Sequence, residues 1–122
     1  MDTAANAESR RAASFRTLRN GEAAVGTFVG LGSIPATEIC ARAGFEWLLI
    51  DLEHGAGGES ALNAQIHTAA RFGALSLVRV STPDRIHCSR ALDLGADGIM
   101  APRLDTPDDV ADFVRHLNYP PE

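Results

Sequence analysis

The feature that most limits how this chain can fold is an alternation repeated four times between Ala24 and Leu117. Each repeat is a short apolar run, then a loop, then a helix-length segment closed by glycine or a Tyr-Pro-Pro break. The apolar runs are Ala24–Val29 (AVGTFV), Glu46–Asp51 (EWLLID), Leu75–Val80 (LSLVRV) and Gly98–Ala101 (GIMA). They are nearly continuous rather than alternately polar, which marks strands buried on both faces, as in a parallel sheet covered by helices. Between them, Ser33 with Pro35 starts a helix that stops at Gly44. Leu62, Ile66, Ala69 and Ala70 share a face of a second helix ending at Gly73, with the Gly57-Gly58 pair expected to loosen the connection before it. Pro83 and Asp84 open a third helix through Leu94, and Thr106, Pro107 and Asp109 open a fourth with Val110, Phe113, Val114 and Leu117 as its apolar stripe. The fold class is therefore α/β, either a small doubly wound sheet or part of a (β/α)8 barrel. GLGSIP after the first strand lacks the third glycine of a dinucleotide fingerprint.

Composition removes several functions. The 122 residues, 45% of them hydrophobic, suffice for one domain, with residues 1–20 as a lead-in segment expected to form a frayed helix. A net charge of -5 leaves no basic face for nucleic acid. No apolar run reaches the roughly 18 residues of a membrane span and no apolar signal core opens the chain, so a cytoplasmic location is expected. Cys40 and Cys88 lack metal-ligand spacing and read as reduced thiols. All 11 basic residues are arginine. Without lysine the chain can form no lysine Schiff base and hold no nucleotide through a P-loop lysine.

In either candidate architecture the functional groups gather at the C-terminal ends of the parallel strands. There the second strand delivers Asp51, Glu53 and His54, the third Arg79, and the fourth Arg103. Arg103 alone reads equally well as a solvated strand end. Arg79, flanked by valines, is costly to desolvate without a partner. A lone His54 would read as structural; beside two carboxylates and facing Arg79 it reads as functional. Asp93 sits in the last turn of a helix, where the dipole disfavours an anion, so it needs a compensating partner. Arg90 is the local one; orienting a histidine is the functional one; Asp97 is a comparable loop acid without that constraint.

GTFVGLGSIPATEICARAGFEWLLIDLEHG, LVRVSTPD and RALDLGADGIMAPRLDTPDDVADFVRHLNYPP, in this order and spacing, resemble the HpcH/HpaI aldolase/citrate lyase family from about Gly26 to Pro121. The resemblance implies the N-terminal half of a class II, metal-dependent pyruvate aldolase, with about four βα units of a TIM barrel. It implies His54 as catalytic acid/base, Asp93 as its dyad partner, and Arg79 as the group that binds the pyruvate carbonyl oxygen and stabilises the enolate. Asp51 and Glu53 are implied, less directly, as orienting metal-bound water. The reaction implied is reversible cleavage of a 4-hydroxy-2-oxo acid to pyruvate and an aldehyde, assisted by Mg, Mn or Co in a homo-oligomer. The family's G-x-R-G segment and its two metal-binding carboxylates follow Y-P-P, whereas this sequence ends at Glu122. The metal ligands are therefore expected to be absent here. The alternative is a non-catalytic half barrel with at most weak ligand or partner binding.

Overall fold

A computed structural model describes residues 3–119 and 121. The chain runs α1 (Thr3–Arg19), β1 (Gly26–Val29), α2 (Ile34–Arg42), β2 (Trp47–Asp51), α3 (Glu59–Arg71), β3 (Leu75–Arg79), α4 (Arg85–Asp93), β4 (Gly98–Met100) and α5 (Pro107–His116). The strands form one all-parallel sheet in the order β1-β2-β3-β4. A doubly wound sheet reverses its strand order at a switch point, whereas a barrel adds each strand beside the last. The sequential order therefore selects the barrel, of which these are four βα units.

The expected strand starts are early by up to two residues and the ends late by at most one. The helix signals act as read: Ser33 caps α2, Asp84 caps α4, and Thr106 with Asp109 completes a capping box on α5. The Tyr119-Pro120-Pro121 break is described except for Pro120, which lies outside the described residues.

The sheet has two unlike faces because side chains alternate along each strand. Val29, Leu48, Ile50 and Val78 face the helices and join Leu62, Ile66, Ala69, Cys88 and Ala91 in the core. Full burial of each large aliphatic side chain there contributes about 1.5–3 kcal/mol. Burial also pushes the Cys88 thiol pKa up. A buried polar pair is set between α2 and α3, where Gln65 Nε2 donates to Thr37 Oγ1 at 3.0 Å. The opposite face carries Phe28, Leu49 and Leu77 in one row and Asp51, Arg79 and Met100 in the next. Phe28 and Met100 are largely uncovered on it.

Three expectations are corrected. Over Thr3–Arg19 the lead-in segment is a docked rather than a frayed helix: α1 has 17 residues and is stapled across the bottom of the sheet. Arg10 donates to the carbonyls of Phe45 at 2.8 Å, Phe72 at 2.9 Å and Ala41 at 3.2 Å, joining the chain ends of α2 and α3, and Arg11 pairs with Asp97. Asp97 is no unconstrained loop acid, since its other oxygen accepts from Ser76 N at 2.9 Å and Ser76 Oγ at 3.3 Å. The apolar stripe of α5 is only half used. Phe113 and Leu117 reach the core, while Val110 and Val114 stay exposed because α5 packs on α4 and, among the described residues, no strand beyond β4 lies beneath it.

Candidate functional site

Register builds the site. β2 and β3 pair so that Asp51 lies opposite Arg79 in the last row of the ladder, at the C-terminal rim. Arg79 Nε donates to Asp51 Oδ1 at 2.8 Å and Nη2 to Oδ2 at 2.5 Å, a bidentate pair with both side chains mostly withdrawn from solvent. Oδ1 of Asp51 also accepts the backbone N–H groups of Glu53 at 3.0 Å and His54 at 3.1 Å. One carboxylate thus fixes both the guanidinium and the turn that carries the histidine. The Arg79 hydrogen bonds, helped by those two N–H groups, lower the Asp51 pKa from 3.8 to about 2 against the opposing effect of burial. The same pair raises the pKa of Arg79. Below it, the Arg79 guanidinium carbon lies 5.6 Å from the ring centroid of Phe28, within cation–π range.

Glu53 is the hub of the rest. Its Oε2 lies 3.5 Å from Arg79 Nη1 and 3.6 Å from His54 Nε2, and its Oε1 lies 3.4 Å from Arg103 Nε. The His54 side chain is 73% exposed, open to a ligand above the rim. The turn beneath it is clamped: Ala56 N donates to Gly30 O at 2.6 Å, and Gly32 and Gly57 meet backbone to backbone. Gly32 adopts φ +62°, and a Cβ there would sit 2.3 Å from Gly57 Cα. Gly57, one of the glycine pair expected to loosen this connection, instead closes it against the loop after β1, while Gly58 meets nothing.

Asp93 is not brought to this cluster. α4 starts near the rim and runs back along the sheet, leaving Asp93 at the opposite end from His54. There its carboxylate accepts the Tyr119 hydroxyl at 2.5 Å, which raises the Tyr119 pKa. Arg90, the local candidate, forms no ion pair with it. A different histidine–carboxylate pair lies at the N-terminus of α4, where the cap residue Asp84 accepts from His87 N and its ring Nδ1 and from Thr82 Oγ1. These bonds, the His87 backbone foremost, hold the Asp84 carboxyl well below the usual range. It caps α4 and is a local structure.

The residues that sequence reasoning undervalued are Glu53 as a hub and Phe28 as the surface under Arg79. Neither has a sequence signal, because both roles arise from strand register. Among the described residues no three His, Cys, Asp or Glu side chains converge as a metal-holding group. Asp51 is saturated by Arg79 and two N–H groups and Glu53 faces three cationic or basic groups, so these two carboxylates do not fit a divalent-metal ligand set.

Sequentially ordered parallel βα units with acid, base and guanidinium groups on the strand C-terminal rim define the class: a portion of a (β/α)8-type barrel. The comparisons with known proteins agree. The model of the HpcH/HpaI aldolase/citrate lyase family matches residues 24–122, and the chain belongs to that family. It is 36% identical over 107 residues to a 4-hydroxy-2-oxovalerate aldolase of Rhodococcus jostii, covering 87% of this chain and 42% of that protein. It is 33% identical over 109 residues to a 4-hydroxy-2-oxo-heptane-1,7-dioate aldolase of Escherichia coli, covering 88% and 42%. A solved HpcH/HpaI family structure from Burkholderia cenocepacia superposes with a TM-score of 0.78 at 34% identity, covering 93% of this chain and 44% of that one. The chain thus spans about two fifths of the length of the curated relatives it matches.

Proposed function

We propose that these βα units carry the acid/base and pyruvate-binding part of an aldolase site that reversibly cleaves 4-hydroxy-2-oxo acids to pyruvate and an aldehyde. The observation that carries this reading is the double use of Asp51, which holds Arg79 on one side and the His54 turn on the other. The relatives named as aldolases of 4-hydroxy-2-oxo acids support the substrate class. In cleavage, His54 takes the proton of the 4-hydroxyl, the O–H pair becomes the aldehyde C=O, and the C3–C4 pair passes into the enolate of pyruvate. Arg79 donates to the enolate oxygen, where charge develops. His54 then returns the proton to C3, completing the methyl group. A divalent cation, Mg, Mn or Co, belongs to the complete site in this reading; bound, it polarises the 2-oxo carbonyl, and its ligands come from outside the described residues. With the metal contacts supplied elsewhere, Asp51 and Glu53 serve here to hold Arg79 and the His54 turn.

Asp93 remains the proposed carboxylate partner of His54. Because α4 carries it to the far end of the sheet, it serves the histidine of a neighbouring copy, which makes the working protein a homo-oligomer. Among the described residues no helix is long and apolar enough to cross a membrane, and a cytoplasmic location is part of this proposal.

Exchange of the pyruvate methyl protons with deuterated water, in the presence of Mg, Mn or Co, tests the assignment. His54→Ala and Arg79→Ala are each expected to slow it by at least about a hundredfold. Undiminished exchange in either variant refutes it. The second reading, a non-catalytic half barrel with weak ligand or partner binding, is favoured by the lack of a metal-ligating group among the described residues. Saturable pyruvate binding without exchange, in a protein that also supplies the metal ligands, selects that reading.

A further inference from the structure

A second concave region lies at the end of the sheet opposite the rim, where the N-terminal half of α1 crosses the C-terminal end of α3. Gly73 follows α3 with φ +77°, and a Cβ there would sit 2.7 Å from Ala7 O, so the glycine lets the α1 backbone lie directly against the helix end. The groove beside this crossing encloses about 740 Å³, within the roughly 300–1,000 Å³ of small-molecule sites. Its apolar wall is Ala4, Ala7, Ala70 and Phe72. Its charge comes from Arg10, Arg11 and Arg71 against the single acid Glu8, in a chain whose net charge is -5.

The three arginines are not equally committed. Arg11 is neutralised by Asp97. Arg10 is partly buried and directs its donors to the carbonyls of Ala41, Phe45 and Phe72, dipoles that satisfy its hydrogens without supplying a counter-ion. The Arg71 guanidinium carbon lies 5.9 Å from the Phe72 ring centroid. Among the described residues no carboxylate pairs with either Arg10 or Arg71. Cations left in this way in a cleft draw an anion. A bare anion would use only the arginines and a neutral apolar molecule only the alanine and phenylalanine wall; an amphiphilic anion uses both. We propose that this groove is a binding site for an acyl carboxylate, with the carboxylate on Arg71 in the field of Arg10 and the alkyl chain along Ala4, Ala7, Ala70 and Phe72. The site shares no residue with the rim and does not rest on the aldolase reading.

Equilibrium dialysis of radiolabelled octanoate against the 122-residue chain tests this and reads binding in whatever assembly the chain forms. One saturable site per chain is expected. Octanol, which lacks the charge, should not displace the label. Acetate and inorganic phosphate, which lack the chain, should displace it only at concentrations at least about a hundredfold higher than unlabelled octanoate, because they bury no methylenes. Arg71→Met keeps an apolar stem, removes the charge and should weaken octanoate binding at least about fivefold. Ala4→Glu puts an acid in the first turn of α1, where the helix dipole favours it, so the chain should stay folded while the added carboxylate repels the ligand and weakens binding as much. Arg19→Met, on the same helix but outside the groove, should leave binding unchanged. No saturable site, displacement by octanol, or displacement by acetate or phosphate as effective as by octanoate overturns the proposal. So does capture of the chain by phosphatidylglycerol vesicles without binding of free octanoate, unchanged affinity in both Arg71→Met and Ala4→Glu, or an equal loss in Arg19→Met.

Discussion

Asp51 is the residue on which most of the site depends, and its environment makes its removal measurable. Asparagine at this position cannot neutralise Arg79 and leaves a largely withdrawn guanidinium without its main partner. Asp51→Asn is expected to lower stability by about 2–3 kcal/mol, below the full cost of breaking a deeply buried pair because the rim is partly solvated. Denaturant unfolding checks this. The pH dependence has a definite sign. The folded pKa is depressed from 3.8 to about 2, so the stabilisation is fully present above about pH 4 and is lost as pH falls toward 2. Unfolding of the wild-type chain should show that acid-side loss, and Asp51→Asn should show a flatter profile over the same window. That Arg79 required a partner was legible from its valine neighbours, since a charge in a central strand must be compensated. Which carboxylate would serve it was not, because Asp51 and Glu53 are both within reach and only the ladder register places Asp51 opposite. Asp93 was legible as an acid in need of a partner, but the partner is a tyrosine 26 residues away.

At the scale of elements, strands and caps could be read because their signals are local: Ser33, Asp84 and Thr106 act on backbone groups two or three residues away. The anchoring of α1 could not, because its attachments are polar and distant in sequence. Arg10 reaches carbonyls 31 to 62 residues on, and apolar periodicity is blind to such contacts. Arg10→Ala is expected to release α1 from the sheet, speeding amide hydrogen exchange in Thr3–Arg19 far more than in β2 or β3. Exchange that quickens uniformly would refute the staple. The loops after β1 and β2 make an equally specific demand. Gly57→Ala places a Cβ 2.4 Å from Gly32 Cα, and the overpacking is expected to cost about 1–3 kcal/mol. It should also displace the His54 turn, visible as shifted His54 ring resonances.

On the scale of the whole molecule, the all-parallel sheet leaves the outer edges of β1 and β4 unpaired among the described residues and exposes Phe28, Met100, Val110 and Val114. Unpaired edges and apolar surface of this kind promote association, so the 122-residue chain is expected to sediment as oligomers or aggregates. A sharp monomer with cooperative unfolding would contradict this. Barrel curvature was legible only through the family resemblance, since four βα repeats suit a doubly wound sheet as well until strand order is known. The Asp51 arrangement has a further meaning in time. Its partners Glu53, His54 and Arg79 all lie within 28 residues of it, and one βαβ unit contains them. Contacts this close in sequence form early and cost little loop entropy. The charged frame of the rim can therefore assemble on the ribosome as soon as β3 emerges, before any later strand exists to close a barrel around it.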